Sequence, residues 1–308
     1  MKKYKISLLC ILLFGSSFLM ANDTEYSGGW AGAFLRMGLS ATNMGMGNAG
    51  VAMTGSNGGF YYNPALLPFG EDISMVTGYN FLSLDRKFNY LGFSIPLPPT
   101  AFVSVNWIHA GVDDIQGRTS SGIPDQKYST GEDAVMLSFG NKLSDKLSIG
   151  LSVKYIRNSM LDVSGTGVGF DAGVFYKILD NLAIGAQVKD INASYNWKTT
   201  SLFEEEGGNY IEKFPTVFRG GLMYEIESFR IVADIVNIDT ENYFHGGVEY
   251  NYQDVGSLRL GYDYNSFTFG CGLNYDFMWK TKTELDYAFV QEKFGEGSSH
   301  VFTWNFKI

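Results

Sequence analysis

The chain has 308 residues and is acidic, with 32 carboxylates against 23 lysines and arginines and a net charge of −9. That balance excludes nucleic acid as a partner, because binding it needs a basic face. A mean hydropathy of −0.04 excludes a bundle of membrane helices, whereas 16% aromatic residues and 37 glycines beside only 18% charged residues fit a membrane barrel, whose alternating strands hide their apolar face in the average.

The N-terminus reads as an export address. Lys2, Lys3 and Lys5 form a basic head, Ile6 to Met20 an apolar core, and Ala21 a small residue before cleavage at Asn22. Residues 1–21 are therefore expected to be a secretory signal peptide, since the apolar run is short for a membrane span. Cys10 follows Leu9, where lipidation needs a small residue, and lies too early in the apolar core, so it is not expected to carry lipid. Removing this segment takes away three lysines and no acid, moving the net charge from −9 to −12. Only Cys271 then remains, so no intramolecular disulfide can form.

Residues 22–71 are rich in Gly, Met, Ala and Asn and have weak periodicity. They read as a separate N-terminal segment ahead of a barrel over residues 72–308. From 72 onward alternating stretches are punctuated by turn signals. The strands are expected at 72–82, 86–95, 101–110, 133–140, 146–157, 165–178, 182–190, 215–226, 229–238, 243–252, 257–264, 266–277, 282–290 and 299–308. This is an even set of fourteen, as single-chain bacterial barrels have. Leu147 to Tyr155 shows the pattern at its strictest, with every odd residue apolar and every even one small or polar.

Parity assigns the faces. Val135, Leu137 and Phe139 share one outward face. So do Val168, Phe170, Ala172, Val174 and Tyr176; Leu258, Leu260, Tyr262 and Tyr264; and Phe267, Phe269, Cys271, Leu273 and Tyr275. The opposite parity carries Ser148, Lys154, Asp171, Arg219, Arg230, Asp234, Arg259, Asp263 and Asn274. A charge facing lipid at mid-membrane costs about 2–4 kcal/mol, so the charged members, Lys154, Asp171, Arg219, Arg230, Asp234, Arg259 and Asp263, are expected to point into the lumen. Trp107, Tyr155, Tyr176, Trp279 and Trp304 fall near strand ends, where interfacial girdles form. Every second connection is short, and the long ones, 111–132 and 191–214, fall in the other set, as expected for periplasmic turns opposite outer loops. The last strand alternates Phe302, Trp304, Phe306 and Ile308 to the final residue, which is typical of the signal read by barrel assembly machinery. The expected fold class is thus an all-β, fourteen-stranded antiparallel transmembrane barrel in lipid of the bacterial outer membrane.

Residues 38–70 read GLSATNMGMGNAGVAMTGSNGGFYYNPALLPFG. Gly45, Gly47 and Gly50 formally match a dinucleotide fingerprint, but no buried strand precedes them and no long helix follows. The stretch instead resembles the N-terminal region of the long-chain fatty acid transporter (FadL) superfamily, with its nearest likeness to the PorV/PorQ branch and related outer-membrane proteins. The other end agrees: Leu285-Asp286-Tyr287-Ala288-Phe289 followed by His300-Val301-Phe302 resembles the close of that family. The resemblance implies a fourteen-stranded barrel whose N-terminal segment folds inward as a hatch, with Asn63, Pro64 and Ala65 as the hatch turn. Proline fixes φ and asparagine can bond its own backbone, so this tripeptide suits a chain reversal.

No catalytic set stands out, and no enzyme activity, cofactor or metal is expected. His109, His245 and His300 are separated in sequence, with no partner at local spacing. Asp113 and Asp114, and the Glu204–Glu205–Glu206 run, fall in expected outer loops without the spacing of a calcium loop. Phe34, Met37, Met44, Met46, Met53, Phe60 and Tyr61 form a candidate apolar ligand surface, because methionine adapts to irregular shapes; the competing reading is that they simply pack the segment against the wall. Two functions follow. One is passive transport of hydrophobic small molecules across the outer membrane. The other, implied by the PorV/PorQ likeness, is a non-enzymatic component of a protein secretion and surface-attachment system, whose partners would be secretion-system proteins. The outer loops look modest in length, which favours transport.

Overall fold

Period-two alternation from Ser74 onward builds antiparallel strands that pair into one closed ring. The structure is a computed structural model and describes residues 30–70, 72–199, 207–253, 255–276, 281–291 and 297–308. The expected signal peptide, the Glu204–Glu205–Glu206 run and Trp279 lie outside these residues. Apart from Trp30, the described residues belong to one compact unit, Ala31–Ile308.

The strands are β1 (Ser74–Phe81), β2 (Arg86–Leu97), β3 (Ala101–Arg118), β4 (Pro124–Lys142), β5 (Leu147–Met160), β6 (Val163–Leu179), β7 (Leu182–Ile191), β8 (Ser194–Lys198), β9 (Asn209–Lys213), β10 (Val217–Ile226), β11 (Phe229–Ile238), β12 (Glu241–Tyr252), β13 (Gly256–Asp263), β14 (Ser266–Asp276), β15 (Lys282–Gln291) and β16 (Ser298–Lys307). Fourteen of them form the ring: β1 to β7 in order, then β10 to β16, with β7 paired to β10 and β16 closing on β1. Closure leaves the ring without a free edge.

The two faces separate by parity. Ile149, Leu151, Val153 and Tyr155 are exposed on the outside, while Ser148, Gly150, Ser152 and Lys154 between them are buried. Val135, Leu137, Phe139, Val168, Phe170, Leu258, Leu260, Phe267, Phe269, Leu273, Phe302 and Trp304 continue the exposed apolar band around the wall.

Both long connections hold more order than their sequence suggests. Residues 111–132 are not a loop but the continuation of β3 and β4, whose pairing runs on to Arg118 and Pro124 through two register shifts. Residues 191–214 contain the β8–β9 hairpin, which branches from the ring by pairing β8 with Ser164–Thr166 of β6. Its alternation is only five residues per strand, too brief to stand out against the polar residues between.

Residues 31–70 pack against the inward face of the ring and are mostly buried. They carry two short helices, α1 (Ala41–Gly45) and α2 (Gly59–Tyr62), and two 3₁₀ turns, Ala33–Arg36 and Pro64–Phe69. Ser40 caps α1 by accepting from the Asn43 N–H at 3.3 Å. The wall meets this inner segment through glycines. A Cβ at Gly150 would stand 2.3 Å from the backbone of Pro64 and Ala65, and one at Gly247 would stand 2.6 Å from Met46. The absence of a side chain lets two backbones touch where any other residue would hold them apart.

Candidate ligand cavity over the inner segment

Asn63 sets the turn that returns the chain to the wall. Its backbone is extended (φ −168°), and its side-chain oxygen accepts from the Ala65 N–H at 3.0 Å, capping the Pro64–Phe69 turn. Pro64 fits the first position, where no N–H is needed. The Asn63 amide donates to the carbonyls of Val51 (2.8 Å) and Val174 (3.0 Å), so one side chain ties two stretches of the inner segment to each other and to β6.

Elsewhere the tether is made by charged wall residues. Asp234 accepts from the Gly50 and Val51 N–H groups at 2.7 and 3.0 Å. Asp286 accepts from Thr42 Oγ1 and Asn57 Nδ2, both at 3.0 Å. Thr303 Oγ1 accepts from the Ala41 N–H at 2.8 Å. These carboxylates are matched in turn by cations. Arg259 reaches Glu249 and Asp286 at 2.6 Å each, and Arg230 reaches Glu225 at 2.8 Å and Glu249 at 3.0 Å. Lys154 is shared between Asp171 (2.7 Å) and Asp190. Arg219 stands 3.5 Å from Asp234, and His245 stands 3.0 Å from Asp263. Pairing of this kind offsets much of the cost of burying charge.

Of the seven charged residues expected in the lumen, Lys154, Asp171, Asp234, Arg259 and Asp263 are buried and Arg219 and Arg230 are half-buried; Lys189, Asp190, Glu249 and Asp286 are buried as well. Lys189 and Asp286 share parity with inward neighbours and could have been read from their strands. Asp190 could not: a register shift between β6 and β7 and a φ of 60° turn it inward beside Lys189. The histidines are not without partners. His245 faces Asp263 across the β12–β13 pair, and its Nδ1 lies 3.1 Å from the Gly47 carbonyl oxygen. His109 Nδ1 sits 2.9 Å from Asp133, and His300 Nδ1 sits 2.8 Å from the Tyr287 hydroxyl. Cross-strand register joins these pairs, and sequence spacing does not reveal it. Asp113 and Asp114 pair with Lys87 and Lys127 at the exposed end of the β3–β4 hairpin.

Above α1 the inner segment leaves a cavity of about 270 Å³ between itself and the strands β1, β7, β10–β13, β15 and β16. Of the seven candidate apolar ligand residues, Met37, Met44 and Tyr61 line it. Phe34, Met46, Met53 and Phe60 are instead packed in the interior. The apolar part of the lining is completed by Val217, Val236, Val290 and Val301. Tyr61 is fixed at both ends of its hydroxyl, donating to the Leu35 carbonyl at 2.6 Å and accepting from the Gly38 N–H at 3.3 Å. Burial pushes its phenol up to about 12.

The β8–β9 hairpin supplies residues that sequence reading missed altogether. Tyr195 packs edge-on against Trp197 and Phe214, and these join Phe34 and Leu35 in one apolar cluster. Tyr195 also donates to Glu132 at 2.8 Å, tying the hairpin to β4.

No protein-family model matches the chain, and no curated protein matches it either. Solved structures do. The toluene transporter TbuX of Ralstonia pickettii aligns with a TM-score of 0.64 at 15% identity, over 88% of this chain and 98% of the other. The Pseudomonas putida toluene transporter TodX aligns at 0.60 and 15% identity, over 87% and 96%. A Pseudomonas aeruginosa FadL homologue aligns at 0.61 and 11% identity, over 87% and 97%. At such identities the likeness is one of fold, and the chain shares with these proteins the architecture of a FadL-like fourteen-stranded barrel.

Proposed function

We propose that the protein is an outer-membrane conduit that admits small, largely apolar molecules passively, without catalysis. The observation that carries this reading is the cavity itself. It is formed jointly by the barrel wall and a segment that fills the lumen below, so a molecule held there rests on the part that must shift for it to pass. The continuous outer band of exposed Leu, Val, Phe and Tyr supports a lipid surround, because so large an apolar surface is not stable in water. The apolar end of β16 suits recognition by barrel assembly machinery. The fold is shared with proteins described as toluene transporters, which agrees with the same reading. Residues 31–70 act in it as a hatch, with Asn63, Pro64 and Ala65 as its turn and Met37, Met44 and Tyr61 as its ligand-facing surface.

The test is flux. Liposomes holding the full-length protein should admit toluene faster than protein-free vesicles do, and should stay closed to a sugar of similar size. Equal rates with and without protein would refute the proposal.

The secretion-system alternative, as in the PorV/PorQ branch, has one feature in its favour. The β3–β4 hairpin runs past its neighbours, since β2 pairs with β3 only up to Val112 and β5 pairs with β4 only from Thr130. That leaves an exposed ribbon on which a partner protein could dock. Co-purification of secretion components with the intact chain, lost when residues 113–127 are shortened, would support it over transport.

A further inference from the structure

The cavity carries charge of the opposite sign to the chain as a whole. Three cations, Arg36, Lys189 and Arg219, line it beside a single carboxylate, Asp263, and that carboxylate is held by His245 at 3.0 Å. Arg219 has a side chain only 9% exposed; its Nη1 donates to the Asn48 carbonyl at 3.0 Å with Asp234 at the longer distance of 3.5 Å, and its guanidinium lies over the Tyr62 ring at 5.2 Å. Its Nε–H has no hydrogen-bond partner among the described residues. The Asp234 oxygen nearest to it is already committed to the Gly50 and Val51 N–H groups. Lys189 is buried, donates to the Leu35 carbonyl at 3.2 Å, and has its ammonium 3.5 Å from the centre of the Tyr61 ring. Among the described residues no carboxylate lies within ion-pair distance of it.

A buried cation with no carboxylate in direct contact, as at Lys189, is costly. A ligand bearing a negative oxygen at the Lys189 ammonium would supply that contact, with the Arg219 charge adding to the attraction. The volume limits what else that ligand can be. At some 270 Å³ the cavity is at the small end of the range for ligand pockets, which suits a compact molecule. A neutral hydrocarbon fits it but leaves the Lys189 ammonium without a carboxylate contact. We infer that the cavity selects a compact organic anion, an aromatic or short aliphatic carboxylate of benzoate size, with its ring against Met37, Met44 and the valines and its carboxylate toward Lys189 and Arg219. The inference rests on the conduit reading and specifies its substrate class.

The test uses the full-length protein in nanodiscs and compares benzoate with its neutral isostere benzamide by calorimetry, alongside toluene flux in liposomes. Benzoate should bind about tenfold more tightly than benzamide or better, and Lys189→Gln and Arg219→Gln should each erase most of that preference. Arg219→Gln also loosens Asp234 and could impair folding. Lys189→Gln leaves no carboxylate unpaired and keeps the test decisive. Equal binding of the two compounds, or a preference unchanged in Lys189→Gln, would overturn the inference. If toluene still crosses in that case, the conduit stands and the anion selectivity falls. If neither toluene crosses nor benzoate binds, both readings fall together.

Discussion

The most specific consequence of the fold concerns Gly150, where wall and inner segment touch backbone to backbone. In Gly150→Ala the new methyl would lie 2.3 Å from the Pro64 carbonyl carbon and the Ala65 nitrogen and 2.6 Å from the Pro64 oxygen. None of these atoms can rotate away. The turn is fixed by the proline ring and by the three hydrogen bonds of Asn63, so relief requires it to retreat by about 1 Å or the strand to bow outward, an overpacking that costs about 1–3 kcal/mol. Gly220→Ala is the matched control. It lies on the wall with nothing within 4 Å of its added methyl, and replacing a strand glycine there should be neutral or stabilise by up to about 1 kcal/mol. Denaturant midpoints in a lipid or detergent host would give the two stabilities, and sugar leak into liposomes would report whether the displaced turn opens the lumen. If Gly150→Ala is as stable and as tight as Gly220→Ala, the inner segment does not pack against β5 as described and the reasoning fails.

Three further outcomes follow from the tethers. Asn63→Ala removes the amide's bonds to the Val51 and Val174 carbonyls and the cap on the Ala65 N–H and should cost about 2–4 kcal/mol, read as a lowered denaturant midpoint; a loss below 1 kcal/mol would mean that water replaces the amide. Asp234→Ala strands Arg219 and the N–H groups of Gly50 and Val51, costs about 3–5 kcal/mol as a broken buried pair, and should expose the 46–58 stretch to limited proteolysis that the wild type resists. Alkaline pH should loosen the segment through Tyr61, whose phenol burial raises to about 12. Below the unfolded value near 10 the phenol is neutral in both states, and its contribution is fully present. Between pH 10 and 12 the unfolded chain loses its proton first, so stability falls as pH rises. Tyr61→Phe should remove part of that fall, and an unchanged alkaline profile would contradict the burial argument.

The wall was legible because side-chain parity is a local property. Leu147 to Tyr155 needs no knowledge of its neighbours to declare an oily and a polar side, and the same rule sends Lys154 and Asp234 inward. Register is a different matter. That His245 meets Asp263, or that Arg259 bridges Glu249 and Asp286, depends on which residues face each other across a ladder, and nothing in the spacing along the chain encodes it. The bulge that turns Asp190 inward beside Lys189 breaks parity outright. The β8–β9 hairpin escaped because five alternating residues do not rise above the polar loop around them. In the inner segment the abundance of glycine was plain in the sequence, but its physical purpose was only half visible. The wall glycines matter as much as those of the segment, since Gly150 and Gly247 are what allow Pro64 and Met46 to reach the barrel. The methionine-rich surface was read as one group, whereas the cavity divides it: Met37 and Met44 line it, and Met46 and Met53 are packed away.

The central claim is that solutes pass only when the inner segment moves, and linking that segment to the wall tests it most directly. The side chains of Asn57 and Asn305 meet across this boundary at 2.6 Å. In a Cys271→Ser background, an Asn57→Cys/Asn305→Cys pair can be joined by a short reducible cross-linker after reconstitution into liposomes. Toluene flux should drop to the protein-free rate when the link is closed and return when reductant opens it. Flux that is the same in both states would show that solutes do not pass through the segment, and would contradict the account.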